Sequence, residues 1–303
     1  ELYLFASAKS AGKQVDFMGK NYTVIELTEE SVRSRKIDIA LFSAGAGTSG
    51  TFAPIFAECG AIVIDNSSRW RTDPDIPLVV PEVNPEDIAW NHGIIANPNC
   101  STIQAVVALA PLHKAFGIKR IVYSTYQAVS GAGLGGYTDL EEGIKGNPPK
   151  KFPKPIFGNC LPHIDVFLDN GYTKEEQKMM FETRKILHDE SLKITATTVR
   201  VPVYYGHSES VNVEFRKPVT LEEVKKVLCE AEGVIVMDDP ENGVYPTALE
   251  CADHDEVYVG RIRLDDSVDS GVNLWIVADN IRKGAATNAV QIAQRVIAMK
   301  EGK

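Results

Sequence analysis

The 303-residue chain has no apolar run approaching the ~20 residues that cross a bilayer, so no membrane partner is expected. It is short of cysteine pairs: none of its five cysteines (59, 100, 160, 229 and 251) forms a CxxC motif. That argues against bound metal and against a disulfide framework, and makes a reducing, cytoplasmic setting the default. The opening stretch Glu1–Phe5 lacks the basic n-region, apolar core and small-residue cleavage site of a secretory leader. Positive charge is scarce as well. With 32 Lys and Arg against 41 Asp and Glu, the net charge of −9 leaves little to hold nucleic acid. Any anionic small molecule must therefore be met by local cations. Internal repeats and low-complexity tracts are missing too, leaving an ordinary globular composition long enough for about two domains.

One stretch organises what is there: Ala96-Asn97-Pro98-Asn99-Cys100-Ser101-Thr102, followed by the apolar run 103–112. Gly93–Ala96 reads as a short buried strand, and Ile103, Val106, Val107, Leu109 and Ala110 keep a helical period. Pro98 and Asn99 punctuate the change, so Cys100 should open the helix. A thiol there faces unpaired N–H groups and the positive end of the helix dipole, which favour thiolate. The same groups could hold an oxyanion. A buried, inert cysteine is the plain alternative.

Residues 1–99 alternate strands (2–6, 22–27, 37–42, 61–64, 78–80) with turns and a helix at 52–59. This is the pattern of an α/β fold, an open, mostly parallel, doubly wound sheet with helices on its faces. Beyond Cys100 the texture changes. A long strand at 119–129 leads to an irregular Pro- and Gly-rich segment at 146–162. A helix at 174–189 is then followed by strands at 193–203 and 210–215 in antiparallel-looking succession. Further on come a helix at 221–231, a strand at 271–278 and a last helix at 285–300.

Two glycine loops match G-x-G-x-x-G, Gly45–Gly50 and Gly131–Gly136. The first follows a strand, precedes a helix and has Asp65 twenty residues on, the context of a dinucleotide fingerprint. Either loop could equally be a plain glycine-rich turn. If residues 2–6 are the second strand of a dinucleotide fold, its end is where the adenosine ribose is read. There the chain has Ser7-Ala8-Lys9-Ser10, a cation and hydroxyls suited to a 2′-phosphate rather than an acid suited to a 2′-hydroxyl, which favours NADP.

Seven segments in order resemble the aspartate-β-semialdehyde dehydrogenase family. They are Asp65–Ser68 with Arg71 and Pro77–Asn84; Asn97–Thr102; Tyr126–Gly133; Glu182–Lys185; Arg200–Val203; Gly206–Glu209; and Ala278–Asn280 with Lys283–Ala286. The resemblance implies NADPH-dependent reduction of L-aspartyl-4-phosphate to aspartate semialdehyde, in the pathway to lysine, threonine, methionine and diaminopimelate. By position it makes Cys100 the nucleophile, His207 the acid/base and Gln127 the group that orients the acyl. Arg200 would bind the substrate carboxylate and Glu182 its amine, with Arg71, Asn99 and Lys185 at the phosphate. Ser7, Lys9, Ser10, Ser43, Ala44, Gly45, Asn66, Ser130, Gly131 and Asn280 would contact NADP(H). It also implies a Rossmann-like NADP-binding domain (1–99 plus 281–303), a second α+β catalytic and dimerisation domain (100–280), and a homodimer. The family's first strand, glycine loop and helix are expected to precede residue 1.

The chemistry needs these residue types. Acyl transfer from a phosphate anhydride to sulfur divides the reduction into two easier steps, a neutral imidazole can take and return a proton, and an arginine can grip a carboxylate through two parallel bonds. Taken singly, Glu182 and Lys185 also read as a solvated i, i+3 pair, and Arg200 and His207 as surface charges. N-acetyl-γ-glutamyl-phosphate reductase shares the Cys/His logic, and a non-catalytic NADP-binding regulatory protein is the alternative of another class.

Overall fold

Short apolar runs in the first hundred residues pair as strands because alternation and β-branching leave them little else to do. A computed structural model describes residues 1–302. The chain forms two units, one of Glu1–Pro77 with Trp90–Ala96, the other of Leu78–Ala89 with the chain from Asn97 onward. The stretch from 281 groups with the second unit, whereas the sequence expectation assigned it to the first.

In the first unit β1 (Leu4–Ala6) runs parallel to β3 (Lys20–Glu26), and β2 (Gln14–Phe17) folds back on β3. The hairpin was not expected; it turns at Met18 and Gly19, both at positive φ. Helix α1 (Glu29–Arg33) follows with a Thr28 capping box. Strands β4 (Ile39–Phe42), β5 (Ile62–Asp65) and β6 (Ile94–Ala96) form a second, all-parallel sheet. Helix α2 (Ala46–Glu58) makes the β4-to-β5 crossover. Its Phe56 ring lies edge-on to Phe5 of β1 at 5.6 Å and Phe42 of β4 at 5.1 Å. One buried aromatic thus ties both sheets together, each such contact adding about 0.5–1.5 kcal/mol beyond burial.

The second unit opens with α3 (Cys100–Phe116), whose length from Ser101 to Leu109 is buried. Around it lies a six-stranded sheet in the order β10-β11-β12-β9-β7-β8. Its strands are β7 (Ile118–Gln127), β8 (Lys193–Arg200), β9 (His207–Phe215), β10 (Val234–Val236), β11 (Val257–Leu264) and β12 (Gly271–Ala278). Helices α4 (Leu134–Ile144), α5 (Lys174–Leu187), α6 (Leu221–Cys229) and α7 (Thr287–Lys300) complete the unit.

Two expectations change here. The strands expected in antiparallel succession, β8 and β9, do not pair; β7 lies between them, parallel to β8 and antiparallel to β9. Residues 78–80, expected as a strand, are buried but irregular. The Asn84 side chain takes the place of a neighbouring strand, accepting from Val80 N–H at 2.9 Å and donating to the Leu78 carbonyl at 2.9 Å.

Candidate active site

The Pro98-Asn99 break stops extended backbone and starts α3, with Asn99 as N-cap and Cys100 as the first helical residue. Asn99 Oδ1 accepts from the amides of Ser101 (3.0 Å) and Thr102 (3.3 Å). Those two donors are therefore engaged, which corrects the expectation that they would be open to hold an oxyanion. The dipole of the helix still favours an anionic sulfur at its first position. Asn99 is itself held by α5: its Nδ2 donates to Glu175 Oε1 at 2.8 Å and its backbone N–H to Glu182 Oε2 at 2.7 Å.

Three more expected residues stand together at one end of three neighbouring strands. Gln127 ends β7 and is the register partner of Arg200, which ends β8. His207 opens β9, one residue before Ser208, the partner of Tyr126. Gln127 Oε1 accepts from Thr125 Oγ1 at 3.0 Å, and its Nε2 donates to Glu175 Oε1 at 3.2 Å. Arg200 donates through Nη1 to the Ala128 carbonyl at 2.7 Å, while its buried Nε finds no partner among the described residues. Burial lowers the Arg200 pKa, and negative charge at Cys100 and Glu175 works against that fall.

His207 is fully buried, and Nδ1 accepts from the Ala128 N–H at 3.0 Å. Burial, with the Arg200 charge second, holds its pKa well below 6.5, so the ring is neutral. With Nδ1 an acceptor, the one ring proton sits on Nε2. That atom has no partner among the described residues. In this tautomer the ring presents a donor at Nε2. Gly131 backs against it: a Cβ there would come within 2.8 Å of Arg200 Nη1 and 3.2 Å of His207 Nε2.

Sequence reasoning missed Glu175 and Lys178. Helix α5 carries the Glu-x-x-Lys spacing twice, at 175/178 and 182/185. The structure sets Glu175 of the first pair against Gln127 and the Asn99 side chain. Burial opposes the Glu175 charge, but Lys178 (Nζ to Oε2, 3.1 Å) and the Asn99 and Gln127 bonds outweigh it and keep the carboxyl below its ordinary range. Glu182 is buried against the Asn99 amide, and Lys185 lies one turn further along. Only the two-turn repeat could have flagged Glu175.

The expected cofactor residues divide between the units. In the second, Ser130 Oγ pairs with the Asn280 amide (3.0 Å), and Asn280 Oδ1 accepts from Gly206 N–H at 3.1 Å. The second glycine loop is no dinucleotide loop: Gly133 caps α4, and a Cβ on Gly136 would meet the Val129 carbonyl at 2.2 Å. In the first unit Ser7, Lys9 and Ser10 follow β1, and Lys9 makes no ion pair among the described residues. Ser43 and Ala44 lead from β4 to Gly45, the N-cap of α2, whose amides receive no side-chain cap. Nothing lies within 4 Å of a Cβ built on Gly45. Arg71, expected at the phosphate, donates to the Asn66 carbonyl at 2.8 Å. An open helix start and an unpaired cation fit a phosphate-bearing dinucleotide.

Comparison with known proteins gives the family. Residues 1–91 match the semialdehyde dehydrogenase NAD binding domain, and residues 109–283 the semialdehyde dehydrogenase dimerisation domain. The class is thus a two-domain semialdehyde dehydrogenase, with a Rossmann-like first domain. An aspartate-semialdehyde dehydrogenase of Aquifex aeolicus is 57% identical over 311 residues, covering 100% of this chain and 91% of that one. The Vibrio cholerae aspartate semialdehyde dehydrogenase II complexed with ASA superposes with a TM-score of 0.93 at 50% identity, covering 98% of this chain and 90% of that one. A Candida albicans aspartate semialdehyde dehydrogenase with NADP gives 0.77 at 27%, covering 98% and 91%. The chain belongs to the aspartate-semialdehyde dehydrogenase family, enzymes of amino-acid biosynthesis.

Proposed function

We propose that the chain reduces L-aspartyl-4-phosphate to L-aspartate 4-semialdehyde with NADPH, through a thioester on Cys100. The carrying observation is Cys100 at the first position of α3, behind the Asn99 cap and within the field of the Arg200 charge. Helix dipole and guanidinium both favour the thiolate. The sulfur attacks the acyl carbon, and the bond to the phosphate oxygen breaks as phosphate leaves. NADPH, when bound, supplies a hydride to the acyl carbon. His207 Nε2–H meets the oxyanion on that carbon, and collapse of the oxyanion releases the aldehyde and restores the thiolate. Apart from the donor bond, His207 transfers no proton in this scheme, which is where it departs from a shuttling acid/base.

Arg200, with a buried unpartnered Nε, takes the substrate α-carboxylate. Glu182 faces the substrate ammonium and Lys185 the phosphate, while Glu175, bonded to Gln127 and paired with Lys178, steadies the acyl-orienting amide. An N-acylated substrate carries no ammonium for Glu182 to face, so this assignment favours the free-amine substrate over N-acetyl-γ-glutamyl phosphate. Preference for NADP rests on Lys9 and the hydroxyls of Ser7 and Ser10; Ser43, Ala44, Gly45, Asn66, Ser130, Gly131 and Asn280 keep their assignment as cofactor contacts. Asn99 and Arg71 keep their phosphate assignment. A homodimer in the cytoplasm, feeding lysine, threonine, methionine and diaminopimelate synthesis, completes the proposal. The sheet face carrying exposed Tyr126 and half-buried Trp275, rings 5.5 Å apart, suits a protein partner. Phosphate-dependent reduction of NADP by aspartate semialdehyde tests the reaction. Turnover of the N-acetylglutamyl substrate instead, or none without NAD, would refute the corresponding part.

A further inference from the structure

Between β12 and α7 the chain makes a π-helical turn, Arg282–Ala286. Its wide bonds run from Gly284 N–H to the Asp279 carbonyl (3.1 Å) and from Ala286 N–H to the Ile281 carbonyl (2.9 Å). Asp279 Oδ1 fixes the entry by accepting from the amides of Ile281 (2.8 Å) and Arg282 (3.1 Å). Single π turns of this kind inside helices recur at functional sites.

The widened turn carries two residues with opposite demands. Lys283 is fully buried, and its Nζ donates to Glu82 Oε1 (2.7 Å) and Oε2 (2.6 Å), Gln291 Oε1 (2.7 Å) and Asn288 Oδ1 (3.0 Å). Gly284, the next residue, lies against the nucleophile: a Cβ there would stand 2.9 Å from Cys100 Cβ and 3.3 Å from its Cα. Asn288 Nδ2 also donates to Asn97 Oδ1 at 2.6 Å, and Asn97 Nδ2 returns to the Ala285 carbonyl at 3.2 Å. The turn thus grips the chain at Cys100 and again three residues before it.

A buried ion pair is a poor way to gain stability, since apolar side chains of similar volume do as well or better. It is a good way to fix where a backbone lies, because four acceptors converging on one ammonium leave it a single place to sit. We infer that Lys283, with Glu82 as its counter-ion, is a positioning residue for the reaction: it seats the π turn so that Gly284 and the Asn97 link set the place of the Cys100 sulfur. The inference rests on Cys100 being the nucleophile.

Gly284→Ala in the full chain tests it, read by steady-state kinetics and by the pH dependence of Cys100 alkylation with iodoacetamide. Because displacements of about 1 Å can cost ~10²-fold in rate, kcat should fall by about that factor while KM for aspartate semialdehyde stays within roughly threefold. The alkylation midpoint should move, since the sulfur changes its place relative to the helix start. Rates within about threefold of wild type and an unmoved alkylation midpoint would overturn the inference. The double variant Glu82→Gln/Lys283→Met removes the pair without leaving a buried lone charge. It should fold and show the same kcat loss at roughly 10-fold or more with a moved midpoint; wild-type kinetics in it would also overturn the inference, even were Gly284→Ala unfolded. Cys100→Ala, run alongside, separates the two readings: if it still turns over, the nucleophile assignment has failed, not the positioning.

Discussion

Helices α2 and α3 both follow a parallel strand and both begin on a small residue, yet their first turns are treated in opposite ways. At α2 the N-cap is Gly45, at φ 82 and ψ 162, with no side-chain cap and an exposed approach from Ser43 to Gly47. At α3 the cap is Asn99, whose oxygen takes two amides while two carboxylates of α5 hold the residue in place. The same helix dipole serves different ends. An open first turn keeps backbone donors for an anion that arrives from outside. A closed one spends its donors internally and leaves the field to act on a side chain, here a thiol.

Substitutions can break that contrast. Removing the thiol is the harshest: Cys100→Ala should lower turnover by ~10⁴-fold or more, as losses of a nucleophile do, with NADP affinity and melting temperature near wild type. Steady-state NADP reduction and a thermal melt check it. His207→Asn should lower kcat by ~10²–10³-fold, the worth of one oxyanion donor. Because burial and Arg200 keep the His207 pKa well below 6.5, the wild-type kcat/KM should hold level through pH 6.5 and fall only at lower pH. A fall centred at or above 6.5 would contradict a fixed donor.

At the open helix the effect is smaller and falls on binding. The Gly45 backbone lies in a region open essentially to glycine alone, where another residue costs about 1–3 kcal/mol. Gly45→Ala should raise KM for NADP by roughly 5- to 100-fold at that cost, with kcat nearly unchanged. Fluorescence titration with NADPH measures the same loss directly. An unchanged affinity would mean that α2 holds no cofactor phosphate.

The mildest change sharpens how dry the surroundings of α3 are. Glu209 on β9 is fully buried, and neither carboxyl oxygen has a partner among the described residues. Desolvation holds its pKa well above 4.5. The folded state thus keeps a proton that the unfolded chain loses, so the stability Glu209 gives is complete below about pH 4.5 and is lost as pH rises toward the folded pKa. Glu209→Gln should melt higher than wild type at neutral pH, by about 2–4 °C, and the two curves should meet near pH 4.5. A constant difference across pH would show the carboxyl to be charged when folded.

Local signals made Cys100 legible: Pro98 and Asn99 end one element and cap the next, and no tertiary information is needed. Arg200 and His207 were readable only through their family setting, because a strand position alone does not say which face is inward. That α5 brings Glu175 as well as Glu182 to Asn99 was beyond the sequence for a geometric reason. Seven residues are nearly two helical turns, so both pairs share a face of α5 and only their distance along the axis differs. Helix α4 was hidden by its own glycines, of which Gly136 serves close approach to Val129 rather than a turn. The apolar run 78–80 misled in the other direction, since side-chain amides can satisfy a buried backbone as well as a strand can.

Gln127 and Arg200 are register partners on β7 and β8, and His207 begins β9 beside them. The spacing of these three side chains is then the spacing of a hydrogen-bonded ladder, and no one of them can wander while the ladder is closed. Amide hydrogens near them should exchange with solvent only when the sheet itself opens, on the slow end of the range for this chain. Loops around such a site can drift over evolutionary time, or breathe on every turnover, and the chemistry at its centre would keep its measure.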